Sequence, residues 1–591
     1  MAEKRFKYHP SQFKERIMIG GIPHPDVRPT HKILGSLANY MNLRLSGVGE
    51  ALDEAVIGDC VDVPDELIRE VVENTNKRYE ESLNLPPTNA FILTGSTSCI
   101  DRLSHFKNSE DASQRIKEAF EVAVKDDFAL NGRSREENIE IIEHIISEDD
   151  INNLPKNIRT KTEVIGFILR TFKHPGGRIQ IVDFEEKKGT GKQLGEWIEE
   201  IFKCDEEKGG GAALQVGDFL AGIGEKNVTI HSLSRSPTQI SVLKNKPSLL
   251  DSSNDQINIL DKKSVLRNDD PTKINQIIEL SAGITVEFNG KPIKAKKEAD
   301  RYIFLSQNYD TNGEVIDLDP TLQFNDKELE AIGDKFKFFF TTAPSYLQRY
   351  NAPEYDKHAN RLAYQFKILK NKGVKILYEF SGNTSKNVRF LKDVVKGNIS
   401  SFSLNDQELE NLIEAINRDD GLGIKVKKGK DPLTVYNNAL ILAWYLEADR
   451  LHVHGHNIDI SIRKNATDED MKREQSAVMH AKQRVTEWIR GKKSIEKTPK
   501  KEQLSKLLKR EGFIDFLKFS EQLAQQTYPK YNENTYMQRA RLKYKLRNNG
   551  YYRIDDEYSV SVVPTKWIYD EALVTTSSGD IMAIIAAVQA L

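Results

Sequence analysis

Cysteine is scarce in this chain. Its 591 residues hold three, Cys60, Cys99 and Cys204, far apart and without CxxC spacing, which fits a reducing compartment and argues against a disulfide framework. Long apolar runs are absent as well. No stretch approaches the roughly 18 apolar residues of a membrane-spanning helix, and the opening MAEKRFKYHPSQFKERIMIGG lacks the apolar core of a secretory signal. Neither sign of charge is in excess, since 86 Lys and Arg against 88 Asp and Glu leave a net charge of -2. No global field therefore points to nucleic acid or an anionic membrane. The one basic stretch, RGKKSIEKTPKKEQLSKLLKR at 490–510, has no interleaved aromatics and reads as a solvated loop and helix face. A cytoplasmic chain with neither a nucleic-acid nor a membrane partner is the expectation.

What is present is ordinary globular composition, 38% hydrophobic and 29% charged, in a chain long enough for a large core. Residues 1–88 form a mixed polar extension closed by Leu83-Asn84-Leu85-Pro86-Pro87, with helical periodicity over 66–82 and no evident chemistry. Beyond it, short apolar strands alternate with helical segments: FILT from 91, RYIFLSQ from 301, KFKFFFT from 335, VKILYEF from 374 and DRLHVHGHNIDISI from 449. That alternation predicts an α/β fold with a parallel sheet covered on both faces. ITVEFNGKPIKA at 284–295 reads as an inserted hairpin turning at Asn289-Gly290, the mark of a lid over a site. GTGK at 189–192 falls short of a P-loop, because Glu186 stands at the leading glycine position and Gln193 follows Lys192; it reads as a loop.

The most informative stretch is the last, VTTSSGDIMAIIAAVQAL. A small-residue turn, Ser577-Ser578-Gly579, opens an apolar and hence buried helix, and a helix N-terminus is an anion site where glycine lets a phosphate approach the main chain. Asp580 then stands where a carboxylate could take a proton from an attacking hydroxyl, or it caps the helix. Three other segments carry candidates of the same double kind. Asp101 follows the strand FILT and a small-residue turn, where a carboxylate can hold ligand hydroxyls or face solvent. The run Gly209-Gly210-Gly211 enters the helix ALQVGDFLAGIG and permits close approach of either a ligand or a packing partner. Glu379 closes the strand VKILYEF, while Asn405 and Glu408 begin the helix after ISSFSL, as magnesium-organising groups or as a helix cap. His452, His454 and His456 alternate on one strand without a completing ligand pattern, so packing near the crevice is preferred over zinc.

Taken in order, FILTGSTSCID, GGGAALQVGDFLAGIG, ADRYIFLSQNYDTNGE, YEFSGNTSKNVRFLKDVV, SLNDQEL, ADRLHVHGHNIDISI and TTSSGD resemble the ADP-dependent sugar kinases of the ribokinase-like superfamily over roughly residues 88–591. NDQE looks like that family's NxxE magnesium motif, YEF its HxE segment, LHVH its RIHxH strand and SSGD its GxGD anion hole with catalytic base. The resemblance implies a three-layer α/β/α large domain over 89–591 with a smaller β-containing lid, contributed mainly by about 104–205 and 236–300. It implies transfer of a phosphoryl group from ADP to a hydroxyl of a sugar or sugar phosphate, of the glucose or fructose 6-phosphate class, with Mg2+ as cofactor. Asp101, with Gly210 and Gly211, would hold the sugar. Glu379, Asn405 and Glu408 would organise the magnesium, Ser577, Ser578 and Gly579 the phosphoryl group, and Asp580 would be the base.

The chain departs from the pattern at informative places. Ser577 stands where the family has its first GxGD glycine, Gly211 where it has a sugar-contacting amide, and Leu377 where HxE has its histidine. The nucleotide side is thus better matched than the acceptor side. Two alternatives stay open: a nucleotide-binding relative with a regulatory role, or a kinase for another acceptor such as a nucleoside. The resemblance leaves monomer and dimer equally open.

Overall fold

The computed structural model describes residues 65–591 apart from 96–98, 149–152, 155–156, 175–177, 183–189, 271–273, 281–282, 296–299, 307–321, 343–351, 381–387, 422–428, 490–509, 529–532 and 565–577, and a few single positions. Among the described residues, no helix is long and apolar enough to cross a membrane.

Two sheets organise the chain. The larger has eleven strands in the order Tyr551–Arg553, Tyr558–Pro564, Ile458–Lys464, Arg450–His454, Ser401–Asn405, Lys375–Glu379, Phe338–Thr342, Ile92–Gly95, Val228–Ile230, Ser248–Ser253 and Gln256–Leu260. The block from Arg450–His454 through Ser248–Ser253 is parallel and the flanking pairs are antiparallel. Its strands are apolar on both faces because each face is roofed by helices. Phe339 and Ile376 enter one apolar layer with helices Asp406–Asp419 and Pro432–Leu446. Their neighbours Phe338, Phe340 and Leu377 point the other way, into a layer with helix Ser578–Ala590. The period of two along each strand thus builds three layers. Helix Ser578–Ala590 lies in the middle of its layer, packed along helix Asp468–Ile489 and beneath strands Lys375–Glu379 and Ser401–Asn405, which is why Ile581 to Val588 are apolar all round.

The second sheet has six strands, in the order Asn157–Ile158, Arg178–Val182, Asp300–Ser306, Ile274–Leu280, Cys99–His105 and Glu206–Gly210. One face, with Ile278, Tyr302 and Phe304, packs on helices including Ser109–Asn131 and Lys161–Lys173. The other face carries Leu103, Ile277 and Ile303, against which Trp488 from the end of helix Asp468–Ile489 packs. The chain passes from the large sheet to this one within a few residues, between Gly95 and Cys99.

Three expectations from the sequence are revised here. The segment ending at residue 88 is no independent extension over its described part: helix Asp65–Ser82 buries Ile68, Val71 and Tyr79 in the large unit, and the Tyr79 hydroxyl donates to the Pro564 carbonyl at 3.2 Å. Of 236–300, strands Ser248–Ser253 and Gln256–Leu260 extend the edge of the large sheet, strand Ile274–Leu280 joins the second sheet, and Thr285–Phe288 with Lys291–Lys294 form a two-stranded hairpin of their own. Apolar hairpins at 248–260 and 284–295 look alike in sequence, and only pairing partners distinguish them. Finally, a helix rather than a loop begins at Thr190, inside the GTGK segment.

Candidate active site

The carboxyl ends of neighbouring parallel strands bring Glu379 and Asn405 together with His454, which ends the next strand. Crevices of open α/β sheets form at such strand ends. Glu379 is buried, and its Oε1 shares a 2.9 Å hydrogen bond with His454 Nε2. Its Oε2, also buried, has no hydrogen-bond partner among the described residues. Burial holds the Glu379 carboxyl well above the usual carboxylate range, opposed by the Arg450 charge.

Asn405 caps helix Asp406–Asp419. Its side chain accepts from the Glu408 amide at 2.8 Å, and Glu408 Oε2 accepts from the Asn405 amide at 3.0 Å, a complete capping box. The bland reading of these two residues is therefore real, and it also aims Glu408 into the crevice. Burial pushes the Glu408 carboxyl up to about 8; the Asn405 amide opposes this, the Glu379 and Asp580 charges add to it, and His454 opposes it. Four groups from four elements thus feel one another: Glu379, Glu408, His454 and Asp580.

Asp580 lies in the first turn of helix Ser578–Ala590. Gly579 beside it faces the Glu379–His454 pair, because a Cβ there would sit 3.1 Å from Glu379 Oε1 and 3.2 Å from His454 Cε1. Ser578 opens the helix, and Ser577 lies outside the described residues. Leu377, standing where the histidine was expected, is core beneath this helix. His454, read in the sequence as a histidine packed near the crevice, is the one that meets Glu379. Arg450 is buried against Glu474 and donates to Ser401 Oγ at 3.0 Å, fixing that strand to its neighbour. Burial keeps His454 below its ordinary pKa, against the pull of Glu408 and Asp459. Among the described residues no three His, Cys, Asp or Glu side chains converge as direct metal ligands, and His456 lies outside them.

Asp101 is not at the end of the first strand, as its spacing suggested. It lies within strand Cys99–His105 of the second sheet, buried, opposite Lys208 on one side and Asn275 on the other. Gly210 is required there, since a Cβ would overlap the Asp101 carboxylate. Gly211 has φ +68° and ψ 159°, a conformation open in practice to glycine alone. It leads into a π-helical turn, Ala212–Val216, packed against both strand Glu206–Gly210 and helix Ser578–Ala590. Such turns are frequent at functional sites. The Asp101 group and the Asp580 group are thus joined through one short element.

The chain's relatives agree with this architecture. A search of curated protein sequences returns no match. Among solved structures, an ADP-dependent kinase in complex with fructose 6-phosphate and ADPβS superposes with a TM-score of 0.62 at 16% identity, covering 89% of this chain and 98% of that one. The reconstructed last common ancestor of ADP-dependent phosphofructokinases from Methanosarcinales gives 0.56 at 18% identity, covering 89% and 98%. A hypothetical ADP-dependent phosphofructokinase from Pyrococcus horikoshii gives 0.58 at 16%, covering 85% and 98%. These likenesses establish the ribokinase-like fold of that group. The conserved region of ADP-specific phosphofructokinase/glucokinase matches residues 134–583, most of the sequence. On that match the chain belongs to the ADP-specific phosphofructokinase/glucokinase family, the ADP-dependent sugar phosphotransferases.

Proposed function

We propose that this phosphotransferase moves the terminal phosphoryl group of ADP onto a hydroxyl of a sugar or sugar phosphate of the glucose or fructose 6-phosphate class, releasing AMP, with Asp580 as the general base. The observation that supports the reading best is the meeting of Glu379, Glu408 and Asp580, buried or half-buried, at one helix N-terminus and the carboxyl ends of parallel strands.

In this mechanism the first turn of helix Ser578–Ala590, with Ser577, Ser578 and Gly579, cradles the migrating phosphoryl group on main-chain N–H groups. Asp580 accepts the proton of the attacking hydroxyl, and Asp101, beside Gly210 and Gly211, holds the acceptor's hydroxyls in line. Mg2+ fits the residues present, because Glu379 Oε2 lacks a partner and Glu408 resists ionisation until a cation is near. Magnesium keeps several waters and asks only one or two carboxylates of the protein, so the lack of a three-ligand cluster suits it. Glu379 and Glu408 would hold it through those waters, beside Asn405, and when bound it neutralises charge on the phosphates. The second sheet and its helices act as a lid that excludes water once both substrates are seated. Work in a reducing cytoplasm, expected from three widely spaced cysteines, belongs to the same reading.

The test is AMP formation from ADP and magnesium by purified protein against glucose, fructose 6-phosphate and nucleosides. Acceptor-dependent AMP, reduced at least about a hundredfold in Asp580→Asn, is expected from the usual worth of a general base. Turnover unchanged in that variant would remove Asp580 from the role.

A further inference from the structure

Asn275 occupies the position beside Asp101 on the adjoining parallel strand, Ile274–Leu280. Its Nδ2 donates to Asp101 Oδ1 at 3.0 Å and to Cys99 Sγ at 3.1 Å, and the Cys99 thiol lies 3.5 Å from the same carboxylate oxygen. The side chain is buried, yet its Oδ1 has no hydrogen-bond partner among the described residues. A buried amide oxygen left without a donor is a standing cost, and such atoms call for a ligand or water.

The side chain's direction says which. Asp101 and Leu103 share one face of strand Cys99–His105, and Asn275 and Ile277 share the matching face of theirs. That face packs on Trp488 from the large unit, opposite to the face covered by the second unit's own helices. Asn275 therefore lies on the side of the sheet turned toward the large unit, beside Asp101, whose carboxylate fills the space left at Gly210.

We propose that Asn275 is a specificity-determining residue of the acceptor site, locking Asp101 through Nδ2 and accepting a second acceptor hydroxyl at Oδ1. The inference rests on Asp101 as the acceptor-binding carboxylate. Because Oδ1 shares its amide carbon with the nitrogen bonded to Asp101, the two receiving groups sit side by side. They select an acceptor with hydroxyls on adjacent carbons.

The experiment compares wild type, Asn275→Ala and the isosteric Asn275→Asp at saturating ADP and magnesium, using the preferred acceptor and its monodeoxy analogues. Asn275→Ala lowers acceptor kcat/KM by about 10- to 100-fold with the KM for ADP unchanged. The analogue lacking the paired hydroxyl suffers this loss already with wild type and little more with the variant. In Asn275→Asp two carboxyl groups share one proton, so acceptor kcat/KM relative to wild type recovers as pH falls. An Ala variant with unchanged acceptor kinetics, or losses equal for every analogue and for ADP, overturns the inference and leaves the kinase reading standing. If wild type transfers nothing from ADP to any acceptor, both fall together.

Discussion

On the proposed reading, Gly210 makes the acceptor side depend on a side chain that is missing. The Asp101 carboxylate occupies the space a Cβ would need. Gly210→Ala must therefore displace Asp101 or open the strand pair, and the expected result is a rise of tenfold or more in acceptor KM with ADP binding preserved. Calorimetric titration of ADP alongside acceptor kinetics checks the split; equal loss of both would place Gly210 in general packing. Candidate residues were legible in the sequence, because carboxylates and glycines declare their chemistry. Their dual use was not. Asn405 and Glu408 looked like either cap or magnesium motif, and the capping box is what holds Glu408 in the crevice. His454 was legible as a histidine near the crevice, but its partner was not, since Glu379 lies across the sheet on another strand.

At the scale of elements, helix Asp406–Asp419 carries a titration that, on the proposed reading, couples folding to cation binding. The Glu408 carboxyl is raised to about 8 by burial first and by the charges of Glu379 and Asp580. A raised acid keeps its proton in the folded chain after the unfolded chain has released it. Its contribution to stability is full below about 4.5 and is lost as pH rises through about 8. Glu408→Gln keeps the capping box, since glutamine serves at that position, and removes the titration. The variant is expected to match wild type in thermal stability near pH 5 and to exceed it near pH 9, by an amount on the order of a few kcal/mol. On the proposed reading Mg2+ replaces that proton, so the affinity of wild type for ADP with magnesium rises with pH through about 8, while that of the variant is weaker and rises less steeply, Glu379 still titrating. Melting curves with and without magnesium and ADP decide it; a parallel pH profile in both proteins would refute the coupling. Strand and helix positions of this kind followed from periodicity. Sheet membership did not, as strand Ser248–Ser253 shows, because nothing in its own residues marks Val228–Ile230 of the large sheet as its partner.

The whole molecule depends on how its two sheets face each other, and that was the least legible feature of the sequence. Trp488 is one residue in a polar helix, with nothing beside it to announce a junction. In the fold it packs on Leu103, Ile277 and Ile303 of the second sheet, meets Phe219 edge to face at 5.4 Å, and lies under the Lys208 ammonium at 4.8 Å. Phe219 belongs to the apolar layer around the Asp580 helix, so one indole joins that layer to the sheet bearing Asp101. Trp488→Ala removes that wedge. A loss of about 3–5 kcal/mol is the upper bound for a fully buried tryptophan, and a smaller loss is expected here because Trp488 is only partly buried. More telling is where the looseness falls. Amide hydrogen exchange is expected to quicken in strands Cys99–His105 and Ile274–Leu280 while residues 581–588 stay protected. Acceptor KM rises with it, because Asp101 and Asn275 move as part of the loosened sheet. Uniformly faster exchange would instead mean that Trp488 supports the molecule generally.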